Sequence, residues 1–122
     1  MAWELNNDKP IYVQLMDYIR LSIISGRYGA GDKLPSVREL AHTASVNPNT
    51  MQKALSELEN TGLIFSNRTS GRFVTDNSAL INQCRKDLAT QYCNDFFEKL
   101  KSLGLTQSEI NSLIEDCRQE LH

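Results

Sequence analysis

The chain has 122 residues, of which 40% are hydrophobic, 23% charged and 7% aromatic. That is the make-up of an ordinary globular protein able to bury a core without metal or disulfide staples, and the length excludes a multidomain enzyme. The formal net charge of -2 argues weakly against a polyanion partner, but residues 1–75 carry eight Lys and Arg against seven Asp and Glu while residues 76–122 carry five against eight, an asymmetry that points to different jobs for the two parts.

Ile11, Leu15, Met16, Ile19 and Ile23 recur at spacings of three and four, which predicts an amphipathic helix from Ile11 to Ser25 with Pro10 at its entrance and Gly26 after its end. Residues 26–35 hold three glycines and a proline and read as a loop with room for a short strand. Ser36 followed three residues later by Glu39 is a capping box, so a short helix is expected from Val37 to about Thr43. A tight link, residues 44–46, leads to Asn47-Pro48. Asn is a strong N-cap and Pro loses no hydrogen bond at the first helical position, so a second helix is expected from Pro48 to Asn60, with Met51, Ala54, Leu55 and Leu58 buried.

Residues 63–66 and 72–75 read as two strands around a polar turn, a hairpin tipped by Arg68, Thr69, Ser70, Gly71 and Arg72. After a polar joint at residues 76–78, Leu80, Ile81, Cys84, Leu88, Tyr92, Phe96, Leu100 and Leu103 form a helical stripe ended by Gly104. Thr106 and Glu109 make another capping box, and Ile110, Leu113, Ile114, Cys117 and Leu121 carry a last helix.

No apolar run exceeds three residues, far short of the roughly 20 needed to span a bilayer, so no membrane partner is expected. The first eight residues lack the basic and apolar regions of a secretory signal, and a cytoplasmic location follows as the expectation. Cys84, Cys93 and Cys117 form no C-x-x-C pair and are expected to act as small core hydrophobes. Together with His42 and His122 they show no metal-ligand spacing, so neither metal nor cofactor is expected. No Ser/His/Asp, Cys/His or paired-carboxylate arrangement suggests an enzyme.

The fold class is therefore mostly α with a small β-hairpin: an N-terminal winged helix-turn-helix, residues 1–75, then a two-helix hairpin, residues 76–122. In a helix-turn-helix the second helix enters the DNA major groove with its N-terminal residues at base edges. Asn49, Thr50, Gln52 and Lys53 occupy those positions. The same order of elements also suits a winged-helix module that docks a protein and reads no DNA.

Four blocks carry a resemblance: PIYVQL at 10–15, GDKLPSVRELA at 31–41, VNPNTMQKA at 46–54 and LENTGLI at 58–64. Residues 9–75 resemble the winged-helix DNA-binding domain of the GntR family of bacterial transcription regulators. The short tail is similar to the YtrA-type branch, in which two helices serve for dimerisation.

The resemblance implies a double-stranded DNA operator as partner, read by a homodimer, most simply as a repressor. Arg38 matches the arginine of the family's R-E-L motif and Gly71 its wing-tip glycine, with Arg72 beside it placed to enter the minor groove. Ser36, Asn47 and Ser70 complete the expected DNA-binding set. Pro48 stands where some members carry a basic residue, which moves base reading onto Asn49, Thr50 and Gln52. The dimerisation set is Leu88, Tyr92, Phe96, Phe97, Leu100, Ile110, Leu113, Ile114 and Cys117. No effector is specified, and two helices added to a winged helix are not expected to enclose the ~300 Å³ that a small-molecule site needs.

Overall fold

The computed structural model describes residues 3–121. His122, part of the metal question above, and the first two residues of the leader question lie outside them. The order is α1 (Ile11–Ile24), α2 (Val37–Ala44), α3 (Pro48–Glu59), β1 (Ile64–Asn67), β2 (Gly71–Val74), α4 (Ser78–Ser102) and α5 (Gln107–Glu120). The expected winged helix-turn-helix and two following helices are all present, with ends displaced by a residue or two. The chain divides into two compact units, residues through Arg85 and residues from Lys86 onward.

In the first unit α1 buries Leu15, Ile19 and Ile23, and α3 buries Met51, Ala54, Leu55 and Leu58 in the same core. The four-residue spacing on both helices puts these side chains on one face of each, which removes their apolar area from water. An extended arm precedes α1. Trp3 stacks on Tyr18 at 4.9 Å between ring centroids, and the Tyr18 hydroxyl donates to Glu4 O and accepts from Glu4 N–H. Buried Gln14 does the same for Asn6 and also donates to Lys9 O, so both of its side-chain polar atoms are hydrogen-bonded.

Between α2 and α3 the chain turns through Ser45, whose φ of 58° and ψ of 47° are left-handed. Val46 N–H then returns to Ala41 O at 3.0 Å. The short link begins one residue later than the sequence suggests because Ala44, 2% exposed, still belongs to α2 and to the core.

β1 and β2 are antiparallel, pairing Ile64 with Val74, Phe65 with Phe73, Ser66 with Arg72 and Asn67 with Gly71. The strands begin and end one residue from the expected positions. Residues 32–34 flank β2 on its other side, with Leu34 N–H on Arg72 O at 2.9 Å and Val74 N–H on Asp32 O at 2.8 Å. The loop forms a single bridge, Lys33 opposite Phe73, rather than the short strand it had room for.

The first unit does not stop at the polar joint after Thr75. Ile81 is 7% exposed and, with half-buried Leu80 and Cys84, packs on the winged-helix core. Two turns of α4 therefore complete that core, a role the helical stripe alone did not reveal.

In the second unit Thr106 caps α5: its Oγ1 accepts from Glu109 N–H at 3.2 Å and Glu109 Oε1 accepts from Thr106 N–H at 3.0 Å. These bonds hold the exposed Glu109 carboxyl below the ordinary carboxylate value. No helix among the described residues is long and apolar enough to cross a membrane.

Candidate DNA interface

Three segments of the first unit supply the candidate surface: the start of α2, the first turns of α3 and the wing. Ser36 opens α2. Its Oγ accepts from Glu39 N–H at 3.1 Å while Glu39 Oε1 accepts from Ser36 N–H at 3.3 Å. This reciprocal cap leaves the N–H groups of Val37 and Arg38 without intrahelical acceptors, and such groups at a helix start favour an anion. Arg38 is exposed, and among the described residues no carboxylate pairs with it. Neither Glu39 within α2 nor Glu57 on α3 forms a salt bridge with it.

Asn47 has a local role. Its Oδ1 accepts from Asn49 N–H at 2.7 Å and caps α3, while both donors of its side-chain N–H₂ group stay open to a ligand. Beyond the cap, Asn49 and Gln52 are exposed and Thr50 is half-buried, while Met51 and Ala54 face the core. The expected reading face is therefore presented as a face. Lys53 is exposed too, but its Nζ lies 4.1 Å from the centroid of the Tyr12 ring on α1. A cation over a ring is held in place by the quadrupole, so Lys53 projects from the junction of α1 and α3.

At the wing, Gly71 has φ of +101°, and a Cβ there would stand 3.3 Å from Lys33 Cε, which accounts for glycine at the tip. Ser70 and Arg68 are exposed beside it. Arg72 is placed differently from the expectation that it is free to enter a minor groove. Its side chain is 17% exposed, and Nε donates to Glu59 Oε1 at 2.7 Å. Ser66, cross-strand from Arg72, donates to the same oxygen. Burial by itself would raise the Glu59 carboxyl, but the Ser66 hydroxyl and the Arg72 guanidinium outweigh it and hold the group below the ordinary carboxylate value.

An open groove of about 830 Å³ runs between the α2 start and the wing. Tyr28, Leu34 and Val37 contribute apolar walls, and Lys33, Ser36 and Arg68 polar ones. It brings Ser36, Ser70, Gly71 and Arg72 of the expected set together; Lys33 joins them unforeseen. A lysine two residues before Pro35 in a glycine-rich loop was the available signal, and its place opposite Phe73 beside the wing was not legible.

The candidate dimerisation residues vary in accessibility within one chain. Tyr92 is 57%, Phe96 47% and Leu113 39% exposed. Phe97, whose ring centroid lies 5.7 Å from that of Phe96, is half-buried, as are Leu88, Leu100 and Ile114. Ile110 is fully buried already, so it offers nothing to a second chain. Cys93 and Cys117 are exposed, against the expectation of small core hydrophobes, and Cys84 alone meets it in part. Among the described residues no group of His, Cys, Asp or Glu could hold a metal.

Comparison with known proteins agrees with this geometry. The HTH-type transcriptional repressor YtrA of Bacillus subtilis is 44% identical over 69 residues, 57% of this chain and 53% of that protein. The protein described as uncharacterized HTH-type transcriptional regulator YhcF, from the same organism, is 36% identical over 107 residues, 88% of each. The structure of a GntR family transcriptional regulator from Listeria monocytogenes superposes with a TM-score of 0.83 at 39% identity, covering 92% of this chain and 98% of that one. Residues 11–74 match the family described as bacterial regulatory proteins, gntR family, and the chain belongs to that family of winged helix-turn-helix, DNA-binding transcription regulators, with the YtrA-type members.

Proposed function

We propose that the chain represses transcription in the cytoplasm by binding a twofold-symmetric operator as a homodimer, and that it acts by binding alone, without catalysis or cofactor. The observation that carries this reading is the exposed start of α3, where Asn49 and Gln52 stand clear of the core, with exposed Arg38 on the preceding helix, α2. Asn and Gln can bond two edge atoms of adenine in the major groove. Arg38, Lys33, Arg68 and the α2 N–H groups supply backbone positioning, which fixes register without reading sequence. Repression is the activity named for the related YtrA.

Exposed Tyr92, Phe96 and Leu113 support residues 78–122 as the dimerisation region. A twofold dimer would present two α3 helices to half-sites about 34 Å apart, or a multiple of that.

Selection of binding duplexes from a random DNA library, followed by electrophoretic mobility shift, tests the reading. We expect an inverted-repeat sequence to be recovered and bound in preference to scrambled DNA. Equal binding to all duplexes, or none, would favour the protein-docking module instead.

A further inference from the structure

Among the candidate DNA-binding residues, Lys53 has its charge placed by another helix. Its Nζ stands 4.1 Å from the centroid of the Tyr12 ring, and among the described residues no carboxylate forms a salt bridge with it. Tyr12 is the second residue of α1. It is half-buried and packs on the core, three residues before fully buried Leu15. Because α1 and α3 share that core, the ring is fixed against α3 by packing. No group among the described residues hydrogen-bonds to the Tyr12 hydroxyl, so the face of the ring is what it offers to α3.

Lys53 is exposed on α3, between buried Met51 and Ala54 in sequence but off their stripe. It follows Asn49 by four residues, which puts the two side chains on one side of the helix, a turn apart. A lysine stem is long and flexible, and an unrestrained ammonium at this place would sweep a wide arc. Over the ring it is confined, yet it keeps N–H donors on the side away from the ring.

We propose that Tyr12 is a positioning residue for DNA binding: its ring holds the Lys53 ammonium one turn along α3 from Asn49, so that a backbone phosphate is met at a set distance from a base-reading side chain. Phosphate contacts of this kind fix register. The inference rests on the reading of α3 as the helix that enters the groove. Tyr12 touches no DNA in this account. Lys53 makes the contact, and affinity follows the fraction of time its ammonium spends in the competent place.

The test uses the full chain and a duplex recovered by the wild type from a random library. Position 12 carries in turn Tyr, Phe, and phenylalanines with one, two or three ring fluorines. Fluorine drains electron density from the ring face at nearly constant size, so the attraction for a cation weakens in steps while the packing is kept. We expect Tyr12→Phe to bind within about twofold of wild type, and the fluorine series to lose about two- to fivefold in all, the range of a ring beneath an exposed cation. In a Lys53→Met background the fluorine dependence should vanish, and Lys53→Met by itself should lower the salt slope by about 0.9. Thermal melts establish that each variant is folded.

A loss of about tenfold or more in Tyr12→Phe would make the hydroxyl itself a ligand for DNA and overturn the positioning role. So would a rise in affinity on fluorination, or the same fluorine dependence with and without Lys53. A flat fluorine series in a chain whose base preference still changes with Asn49→Ala overturns the role of Tyr12 alone. Unchanged base preference in both Asn49→Ala and Gln52→Ala overturns the reading of α3, and this assignment with it.

Discussion

Arg72 of β2 and Glu59 of α3 are joined Nε to Oε1 at 2.7 Å, so the wing is tied to the last turn of the helix proposed to read DNA. Ser66 on β1 shares the same carboxylate oxygen. One side chain thereby holds both strands of the wing at a set angle to α3, which makes Arg72 a strut of the interface before it is a candidate ligand for DNA.

Arg72→Ala should therefore lower stability by about 1 kcal/mol, the upper range for a partly solvated ion pair, and weaken operator binding by releasing the wing. Chemical denaturation of Arg72→Ala, Glu59→Gln and the double variant measures the coupling. Fully additive losses would show that the pair contributes nothing.

The same carboxylate has a pH signature. Glu59 lies below its ordinary value of 4.5 in the folded chain, so near that pH the unfolded chain binds more protons. The stability it contributes is whole above the ordinary value and is lost as pH falls through the lower folded value. The stability difference between wild type and Arg72→Ala should accordingly shrink as pH falls from neutral to below the ordinary value of 4.5. A gap that stays constant or widens on acidification would contradict the pairing.

On α3, Asn49→Ala and Gln52→Ala should each relax discrimination at particular base pairs by about 1–3 kcal/mol, whereas Arg38→Ala should weaken all duplexes alike. Asn47→Ala should cost about 1 kcal/mol of stability through loss of the cap, and Asn47→Ser should restore most of it. Competition binding with single-base operator variants, together with thermal melts, separates these effects. An unchanged base preference in both Asn49→Ala and Gln52→Ala would remove α3 from the reading role.

The core contribution of α4 predicts where the chain can be cut. A fragment ending at Arg85 should fold as a monomer, and one ending at Thr75 should be less stable by about 2–5 kcal/mol, the cost of stripping a large aliphatic side chain such as Ile81 from a core. Sedimentation and urea unfolding of the two fragments check this; equal stability would place the boundary at the polar joint after all.

The helix-turn-helix was legible because its signals are local. Ser36 with Glu39, and Asn47 before Pro48, each act within one turn and both caps form, as does that of Thr106 with Glu109 at α5. The four-residue apolar spacing placed Leu15, Ile19, Met51 and Leu55 in the core for the same reason. Arg72 with Glu59 and Lys53 with Tyr12 were illegible, since each joins elements whose meeting depends on how the whole core packs. The burial of Ile81 was hidden similarly: its apolar stripe is continuous with that of Leu88 and Tyr92, and periodicity alone does not say where one partner ends and another begins.

The strut formed by Arg72 and Glu59 also alters the ion exchange that accompanies DNA binding. Salt sensitivity reports cations of the protein that replace condensed counterions on phosphates, about 0.9 in logarithmic slope for each phosphate neutralised. A guanidinium already matched by its own carboxylate arrives nearly neutral and displaces few such ions. Lys33, Arg38, Lys53 and Arg68 should then account for most of the slope, and Arg72→Ala should leave it almost unchanged while Arg38→Ala lowers it by nearly one phosphate's share.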